Sequence, residues 1–89
     1  MITIYSKDTC SYCHKAKILL ENLKLEFIEV DLSGKQDEII KLANMSGLRT
    51  LPQIFVGEVK KENLIGGYTD LEKLKNSGKL DEVLKKMDF

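Results

Sequence analysis

The sequence predicts an α/β fold in which a four-stranded mixed β-sheet is flanked by helices on both faces. Short segments rich in β-branched and aromatic residues alternate with segments whose apolar residues recur every three or four positions. The resulting order is β-α-β-α-β-β-α, with the last helix broken or doubled. The first strand–helix–strand unit should form a right-handed parallel crossover, and the last two strands are close enough for an antiparallel hairpin. At 89 residues, the chain should form a single domain over residues 1–89.

The N-terminal segment predicts a strand followed by a helix. Ile2 to Tyr5 alternates β-branched and aromatic residues, as a short strand does, and a polar loop follows over residues 6–9. From about Ser11 the apolar period becomes that of a helix of about three turns, with Cys10 at its N-terminal end. The stripe of this helix that should face the core contains Cys13, Ala16, Leu20 and Leu23.

A second strand and a second helix are predicted between residues 25 and 47. Leu25 to Leu32 is rich in Phe, Ile, Val and Leu, which is typical of a strand. Ser33 and Gln36 match a capping box in which Ser33 is the N-cap, and Gly47 should end the helix. The apolar side of this helix contains Ile39, Ile40, Leu42 and Ala43.

The C-terminal part predicts two short strands and then a helical region. Gln53 to Val56 should be the third strand, and Leu64-Ile65 the fourth, after a charged turn over residues 57–63. A second capping box places Thr69 at the N-cap of a helix, with Glu72 reaching back to it. Residues 76–78 interrupt this helix, and a last helix follows whose apolar stripe contains Leu80, Val83, Leu84 and Met87.

The charge distribution argues against nucleic-acid and membrane-surface binding. Fourteen basic and fourteen acidic side chains give a formal net charge of zero, and both signs are spread along the chain. A nucleic-acid module should show a basic face, and a membrane-surface protein a polybasic patch. No apolar run approaches the ~18–20 residues that cross a bilayer, and the first residues lack the pattern of a secretory signal. We therefore expect a cytoplasmic protein that binds neither nucleic acid nor membranes.

Cys10 and Cys13 are the only cysteines, and their position indicates redox chemistry. With one histidine in the chain they cannot complete a closed zinc site, so no metal site is expected, and a redox pair or two unreactive thiols remain. Amide groups at a helix N-terminus stabilise an anion, which should lower the pKa of Cys10, and Lys7 adds a positive charge nearby. Cys13, one turn inside, should be shielded. The pair would therefore combine an exposed nucleophile with a buried resolving thiol.

Three segments together resemble the short dithiol glutaredoxins over essentially the whole chain. They are Cys10-Ser11-Tyr12-Cys13 at a strand-to-helix junction, Thr50-Leu51-Pro52-Gln53-Ile54-Phe55 before a strand, and Gly66-Gly67-Tyr68-Thr69-Asp70-Leu71 before a helix. The resemblance implies a thioredoxin-like fold, a cis peptide bond before Pro52, and glutathione as cosubstrate without a tightly bound cofactor. Two positions depart from or lie outside the family pattern. Ser11 replaces the usual proline, and Arg49 stands where we expect no fixed residue.

The resemblance also implies which residues form the site. Cys10 and Cys13 would be catalytic. A cis bond would leave the backbone of Leu51 free to pair with an extended peptide, and the helix start at Thr69-Asp70 would offer amides to a carboxylate. Lys7 would bind the other carboxylate of glutathione. The implied glutathione contacts are Lys7, Cys10, Tyr12, Thr50, Leu51, Pro52, Gly67, Tyr68, Thr69 and Asp70.

Three functions are compatible with these residues. The first is a monomeric, glutathione-dependent oxidoreductase that reduces protein–glutathione mixed disulfides and protein disulfides. The second is a redoxin reduced by thioredoxin reductase, which should lack the glutathione-site residues that this chain retains. The third is a carrier that holds a [2Fe–2S] cluster in a glutathione-bridged dimer. Because the glutathione-site residues are present, the sequence favours the first function, with glutathione and glutathionylated or disulfide-containing proteins as partners.

Overall fold

A computed structural model describes residues 1–87, with the side chain of Met87 outside the described part. The predicted order of elements is confirmed, and the last helical region is two helices. A 3-10 turn, Lys61–Asn63, precedes the last strand. The strands are β1 Ile2–Ser6, β2 Phe27–Asp31, β3 Gln53–Val56 and β4 Leu64–Gly66, and the helices are α1 Ser11–Asn22, α2 Gln36–Ser46, α3 Tyr68–Asn76 and α4 Leu80–Met87.

The four strands form one mixed sheet in the order β2-β1-β3-β4. β1 pairs in parallel with β2, so β1, α1 and β2 form the predicted crossover unit. β3 is antiparallel to both β1 and β4, and β3 and β4 form the predicted hairpin. Because β1 lies inside the sheet, the loop at its C-terminal end leads into α1 close to the middle of the molecule.

Apolar side chains pack on both faces of the sheet. On one face, α1, α3 and α4 cover the isoleucines of β1 and β3, and Ala16, Leu20 and Leu71 are fully buried there. On the other face, Leu42 of α2 packs with Leu32 and Phe55. The ring of Tyr5 contacts Phe55 edge to face, with ring centroids 5.7 Å apart. The helices on both faces confirm the predicted layer arrangement.

Ser33 is not the N-cap of α2, so that prediction is wrong. The helix begins after Lys35, which provides no side-chain cap. The hydroxyl of Ser33 instead accepts a 2.8 Å hydrogen bond from the Asp8 amide and donates to Asp31. Because these two partners fix the hydroxyl at the end of β2, it is not used to cap the helix. Gly47 does end α2, in the left-handed conformation with φ 81°.

Helix α3 begins earlier than the capping-box pattern predicts. Gly67 is its N-cap and Tyr68 its first residue, so Thr69 lies inside the first turn. The carboxylate of Asp70 accepts a 3.0 Å hydrogen bond from the Gly67 amide. Asp70 is therefore the acidic residue of the capping box, the role that the sequence pattern gives to Glu72.

Strand β2 is also shorter than predicted. Leu25 lies outside it, after Lys24, whose φ of 59° turns the chain between α1 and β2.

Within residues 1–87, no helix is both long enough and apolar enough to cross a membrane.

Candidate active site

Cys10 and Cys13 form a disulfide at the N-terminus of α1. Their Cα atoms are 5.2 Å apart, which is within the usual range for a disulfide. Cys10 is the N-cap, with extended backbone, and is half-buried. Cys13 lies on the buried stripe of the helix and is 1% exposed. The two sulfurs therefore differ in access to solvent, as the sequence predicts.

The helix end surrounds the Cys10 sulfur with groups that favour its thiolate. The backbone N–H of Cys13 donates to this sulfur at 3.1 Å. The sulfur also lies at the positive end of the α1 dipole, which stabilises negative charge. The carbonyl oxygen of Leu51 is 3.5 Å from the sulfur on the other side, so the loop before β3 faces the nucleophile directly.

A groove of about 410 Å³ opens beside Cys10 and contains half of the predicted glutathione contacts. Lys7 and Arg49 are the charged residues of its lining, and Ile39 of α2 lies along it. Arg49 was not among the predicted contacts. The signal available was its position directly before Thr50, which is one of them. The predicted contacts in the lining are Lys7, Cys10, Tyr12, Thr50 and Leu51.

The loop before β3 is held in place by a buried side chain. The peptide bond between Leu51 and Pro52 is cis, as the resemblance implies. Gln53, which is 2% exposed, donates from its side-chain amide to the Leu48 carbonyl oxygen at 2.6 Å. The hydroxyl of Ser46 accepts from the Leu48 amide at 3.2 Å. Sequence reasoning missed Gln53, and a polar residue opening an otherwise apolar strand was the signal available.

The Gly66–Asp70 segment approaches the same end of α1. Tyr68 stacks on Tyr12, with ring centroids 6.0 Å apart, and its hydroxyl donates to Glu72 at 2.9 Å. This hydrogen bond to a carboxylate raises the pKa of the Tyr68 hydroxyl. A Cβ atom on Gly67 would lie 3.4 Å from the Pro52 carbonyl oxygen, so this segment and the proline loop are neighbours.

The predicted residues Thr69 and Asp70 are exposed on the first turn of α3. The described lining of the Cys10 groove includes neither of them. Gly66 has a φ of 125°, and a Cβ atom there would collide with the Asp70 carboxylate. This position therefore requires glycine for two reasons, its backbone conformation and the space that Asp70 occupies.

A second groove of about 630 Å³ lies on the other side of Cys10. His14 lines it and is exposed, as its helix position predicts. Lys17 and Glu29 form a 2.7 Å ion pair there, and Glu29 also accepts from the Ser6 hydroxyl at 2.6 Å. The hydrogen bond from Lys17, followed by that from Ser6, lowers the pKa of Glu29. This network joins the middle of α1 to β1 and β2.

Comparisons with known proteins agree on one family. The family model described as Glutaredoxin matches residues 2–60. The chain is 42% identical over 87 residues to "Glutaredoxin 3" of Escherichia coli, covering 94% of this chain and 96% of that protein. It is 39% identical over 83 residues to "Glutaredoxin" of Pseudomonas aeruginosa, covering 93% and 94%.

Solved structures show the same fold. A buckwheat glutaredoxin–glutathione complex superposes with a TM-score of 0.82 at 27% identity, covering 97% of this chain and 77% of that one. The solution structure of a glutaredoxin from Brucella melitensis gives a TM-score of 0.77 at 40% identity, covering 94% and 87%. The fold described above is therefore the thioredoxin-like fold that the sequence predicts.

Proposed function

The chain belongs to the glutaredoxin family of thiol–disulfide oxidoreductases, and from that premise we propose that it reduces protein–glutathione mixed disulfides and protein disulfides with glutathione as cosubstrate. The observation that carries the proposal is the arrangement around one sulfur. Cys10 lies at a helix N-terminus, receives an amide hydrogen bond, and opens onto a groove with cationic and backbone groups.

The groove beside Cys10 suits an extended tripeptide with two carboxylates. Lys7 and Arg49 supply positive charge for one carboxylate, the first turn of α3 offers amides to the other, and the backbone of Leu51 faces the groove before the cis bond. The buckwheat structure is a glutaredoxin–glutathione complex, which supports glutathione as the ligand of this fold. The remaining contacts that we propose are Tyr12, Thr50, Pro52, Gly67, Tyr68, Thr69 and Asp70.

We propose that mixed disulfides are reduced by Cys10 alone. The Cys10 thiolate attacks the glutathione sulfur of a protein–glutathione disulfide and forms a new sulfur–sulfur bond with it. The target protein leaves as a thiolate and takes a proton from water. A second glutathione thiolate then attacks the glutathione sulfur on Cys10, which releases oxidised glutathione and restores the Cys10 thiolate.

Protein disulfides require the second cysteine. Cys10 attacks one sulfur of the target, and the other target sulfur leaves as a thiolate. The Cys13 thiolate then attacks Cys10, so the target leaves with both cysteines reduced and the chain carries the Cys10–Cys13 disulfide. Two glutathione molecules reduce that disulfide and become oxidised glutathione. The buried position of Cys13 supports this role, since it keeps the resolving thiol away from other reactants.

The proposal also covers the setting of the reaction. We propose a single glutaredoxin domain over residues 1–89 that acts as a monomer on glutathionylated or disulfide-containing proteins, without binding nucleic acid or membranes. Relatives aligned over more than nine-tenths of the chain support the domain assignment. A reducing compartment such as the cytoplasm suits a catalyst that draws on a glutathione pool.

The test is a choice between two reductants. The purified disulfide form is mixed either with glutathione and glutathione reductase or with thioredoxin reductase, and NADPH oxidation is followed with a glutathionylated peptide as substrate. We expect turnover with glutathione and little with thioredoxin reductase. Turnover with thioredoxin reductase alone would contradict the proposal and favour the second function considered from the sequence.

A further inference from the structure

Three cationic side chains that lack a carboxylate partner surround Cys10 in a chain of zero net charge. Lys7 and Arg49 line the groove beside the sulfur. The ammonium group of Lys15 lies 5.3 Å from the centroid of the Tyr12 ring, and Lys15 follows Ser11 by about one helical turn. Within residues 1–87, none of the three forms an ion pair. The surface on the Tyr12 side of Cys10 is therefore electropositive.

Two nearby carboxylates, Asp70 and Glu72, offset only part of the charge of these three cations, and both are held by neutral donors on the α3 side of the stack. Asp70 accepts from the Gly67 amide, and Glu72 accepts from the Tyr68 hydroxyl. The second groove has three carboxylates, Asp8, Glu29 and Asp31, against two cations, Lys7 and Lys17, and Lys17 is paired with Glu29. The two sides of the nucleophile therefore differ in charge, and the Tyr12 side is where an anionic segment would bind.

Lys15 is the cation that glutathione leaves free. This step rests on the proposed function, in which Lys7 and Arg49 bind glutathione. The surface over Tyr12 is open to the protein part of a mixed disulfide, because Tyr12 is 55% exposed although it stacks on Tyr68. Lys15 does not line the groove, and its ammonium group is held beside that exposed ring.

We propose that Lys15, held over the Tyr12 ring, selects protein substrates whose target cysteine is flanked by acidic residues. An attraction between exposed charges acts over a Debye length of about 8–10 Å, which covers two or three residues on either side of the cysteine. Complementary charge at such a surface mainly favours productive encounter, and like charge suppresses basic substrates. Lys15 is thus a specificity-determining residue rather than a catalytic one.

The experiment compares three short glutathionylated peptides that differ only beside the cysteine, where they carry aspartate, asparagine or lysine. We expect kcat/KM to fall in that order, by about two- to fivefold per step at low salt, which is the range of exposed charge pairs. The differences should shrink in about 1 M salt, where the Debye length is ~3 Å. The ratio of two peptides cancels any change in the reactivity of the Cys10 thiolate, because the same sulfur attacks both.

Variants assign the preference to Lys15. Lys15→Gln should bring the aspartate-to-lysine ratio close to one, and Lys15→Arg should preserve it. Lys85→Gln is the matched control and should keep the wild-type ratio. Lys85 is exposed and lies far from the active site. Its neighbour Leu84 shares a surface depression with Met1, at the start of β1, whereas Cys10 follows the other end of that strand.

Two results would overturn the inference alone, and a third would overturn it together with the proposed function. Equal reduction of the three peptides by the wild type would leave the proposed function intact and remove the charge preference. An unchanged ratio in Lys15→Gln would place the preference elsewhere. If none of the three peptides is reduced, the proposed function itself fails, and this inference fails with it. Each variant replaces a single exposed lysine, so all should fold. Thermal unfolding of each variant checks that the compared proteins are folded.

Discussion

The ring of Tyr12 stacks on the ring of Tyr68, with centroids 6.0 Å apart and planes inclined by 26°. Tyr12 lies between the two cysteines on α1, and Tyr68 is the first residue of α3. Two segments that are far apart in the sequence therefore meet beside the nucleophile. The position of α3 determines the orientation of the ring next to Cys10.

Replacing Tyr68 tests whether this stack positions substrate. Tyr68→Leu removes the aromatic partner of Tyr12, and aromatic pairs contribute about 0.5–1.5 kcal/mol. We expect its KM for a glutathionylated peptide to rise about two- to tenfold. Tyr68→Phe retains the ring and loses only the hydrogen bond to Glu72, so its KM should stay near that of the wild type. Steady-state kinetics that show the same KM for both variants would contradict a positioning role.

Gly66 should be the least replaceable of the described glycines. Gly66→Ala adds a Cβ atom that collides with the Asp70 carboxylate, at a φ of 125° that alanine rarely adopts. We expect the free energy of unfolding to fall by more than about 1 kcal/mol. Urea titration with a fluorescent or circular-dichroism signal measures the change.

The control for Gly66 is a glycine with positive φ and open surroundings. Gly34 has a φ of 73°, and a Cβ atom added to it would meet no other atom within 4 Å. Gly34→Ala should therefore lower the free energy of unfolding only through the strain of placing alanine at a positive φ. Asp70→Ala removes the Oδ2 and Cγ atoms of the collision and leaves only the Cβ contact at 3.0 Å, so in this background Gly66→Ala should cost less than in the wild type. Equal costs in both backgrounds would show that the carboxylate does not restrict this position.

The ion pair between Lys17 and Glu29 should make stability depend on pH. The folded-state pKa of Glu29 lies below its ordinary value of 4.5, because Lys17 and Ser6 donate hydrogen bonds to its carboxylate. The stabilisation is therefore present above the unfolded pKa and is lost as pH falls through the folded one. Glu29→Gln should lower the free energy of unfolding at neutral pH by about 0.2–1 kcal/mol, since the pair is partly exposed.

Urea titrations at several pH values check this prediction. The difference between wild type and Glu29→Gln should shrink as pH falls below about 4.5. A difference that stays constant over this range would mean that the carboxylate charge of Glu29 contributes nothing to stability.

Arg49 should contribute to glutathione binding although the sequence did not single out that role. It lines the groove with Lys7, and pairing with a carboxylate at an exposed site is worth about 0.2–1 kcal/mol. We expect Arg49→Gln to raise the KM for glutathione about two- to fivefold and to weaken its salt dependence. Lys41→Gln on α2 controls for the loss of a positive charge as such. Equal effects of the two substitutions would argue against a specific contact.

The fold and the cysteine pair could be predicted because their signals are local. The alternation in β1, the helical stripe of α1 and the double glycine before α3 each depend on residues close in sequence. The burial of Cys13 followed from its place on the stripe with Ala16 and Leu20. Local periodicity therefore predicted the element order and the asymmetry of the two thiols.

What the sequence did not predict depends on which of several available partners a side chain takes. Ser33 has the residue type of an N-cap, but its hydroxyl is bonded to Asp31, two residues earlier, and to Asp8, which adjoins it only in the folded chain. The bond from Gln53 to Leu48 and the cation of Lys15 beside Tyr12 are likewise visible only once the side chains are placed. For a side chain with several possible partners, a sequence pattern therefore does not predict which partner it contacts.

The most direct test of the account separates the two cysteines. Cys10→Ser and Cys13→Ser are assayed with glutathione on a glutathionylated peptide and on a protein disulfide. Cys10→Ser should lose both activities, because a serine hydroxyl is not ionised at neutral pH and cannot replace the thiolate. Cys13→Ser should retain substantial reduction of the glutathionylated peptide and lose most reduction of the protein disulfide, which needs a resolving thiol. If Cys13→Ser is as inactive as Cys10→Ser on the glutathionylated peptide, the route through Cys10 alone is wrong.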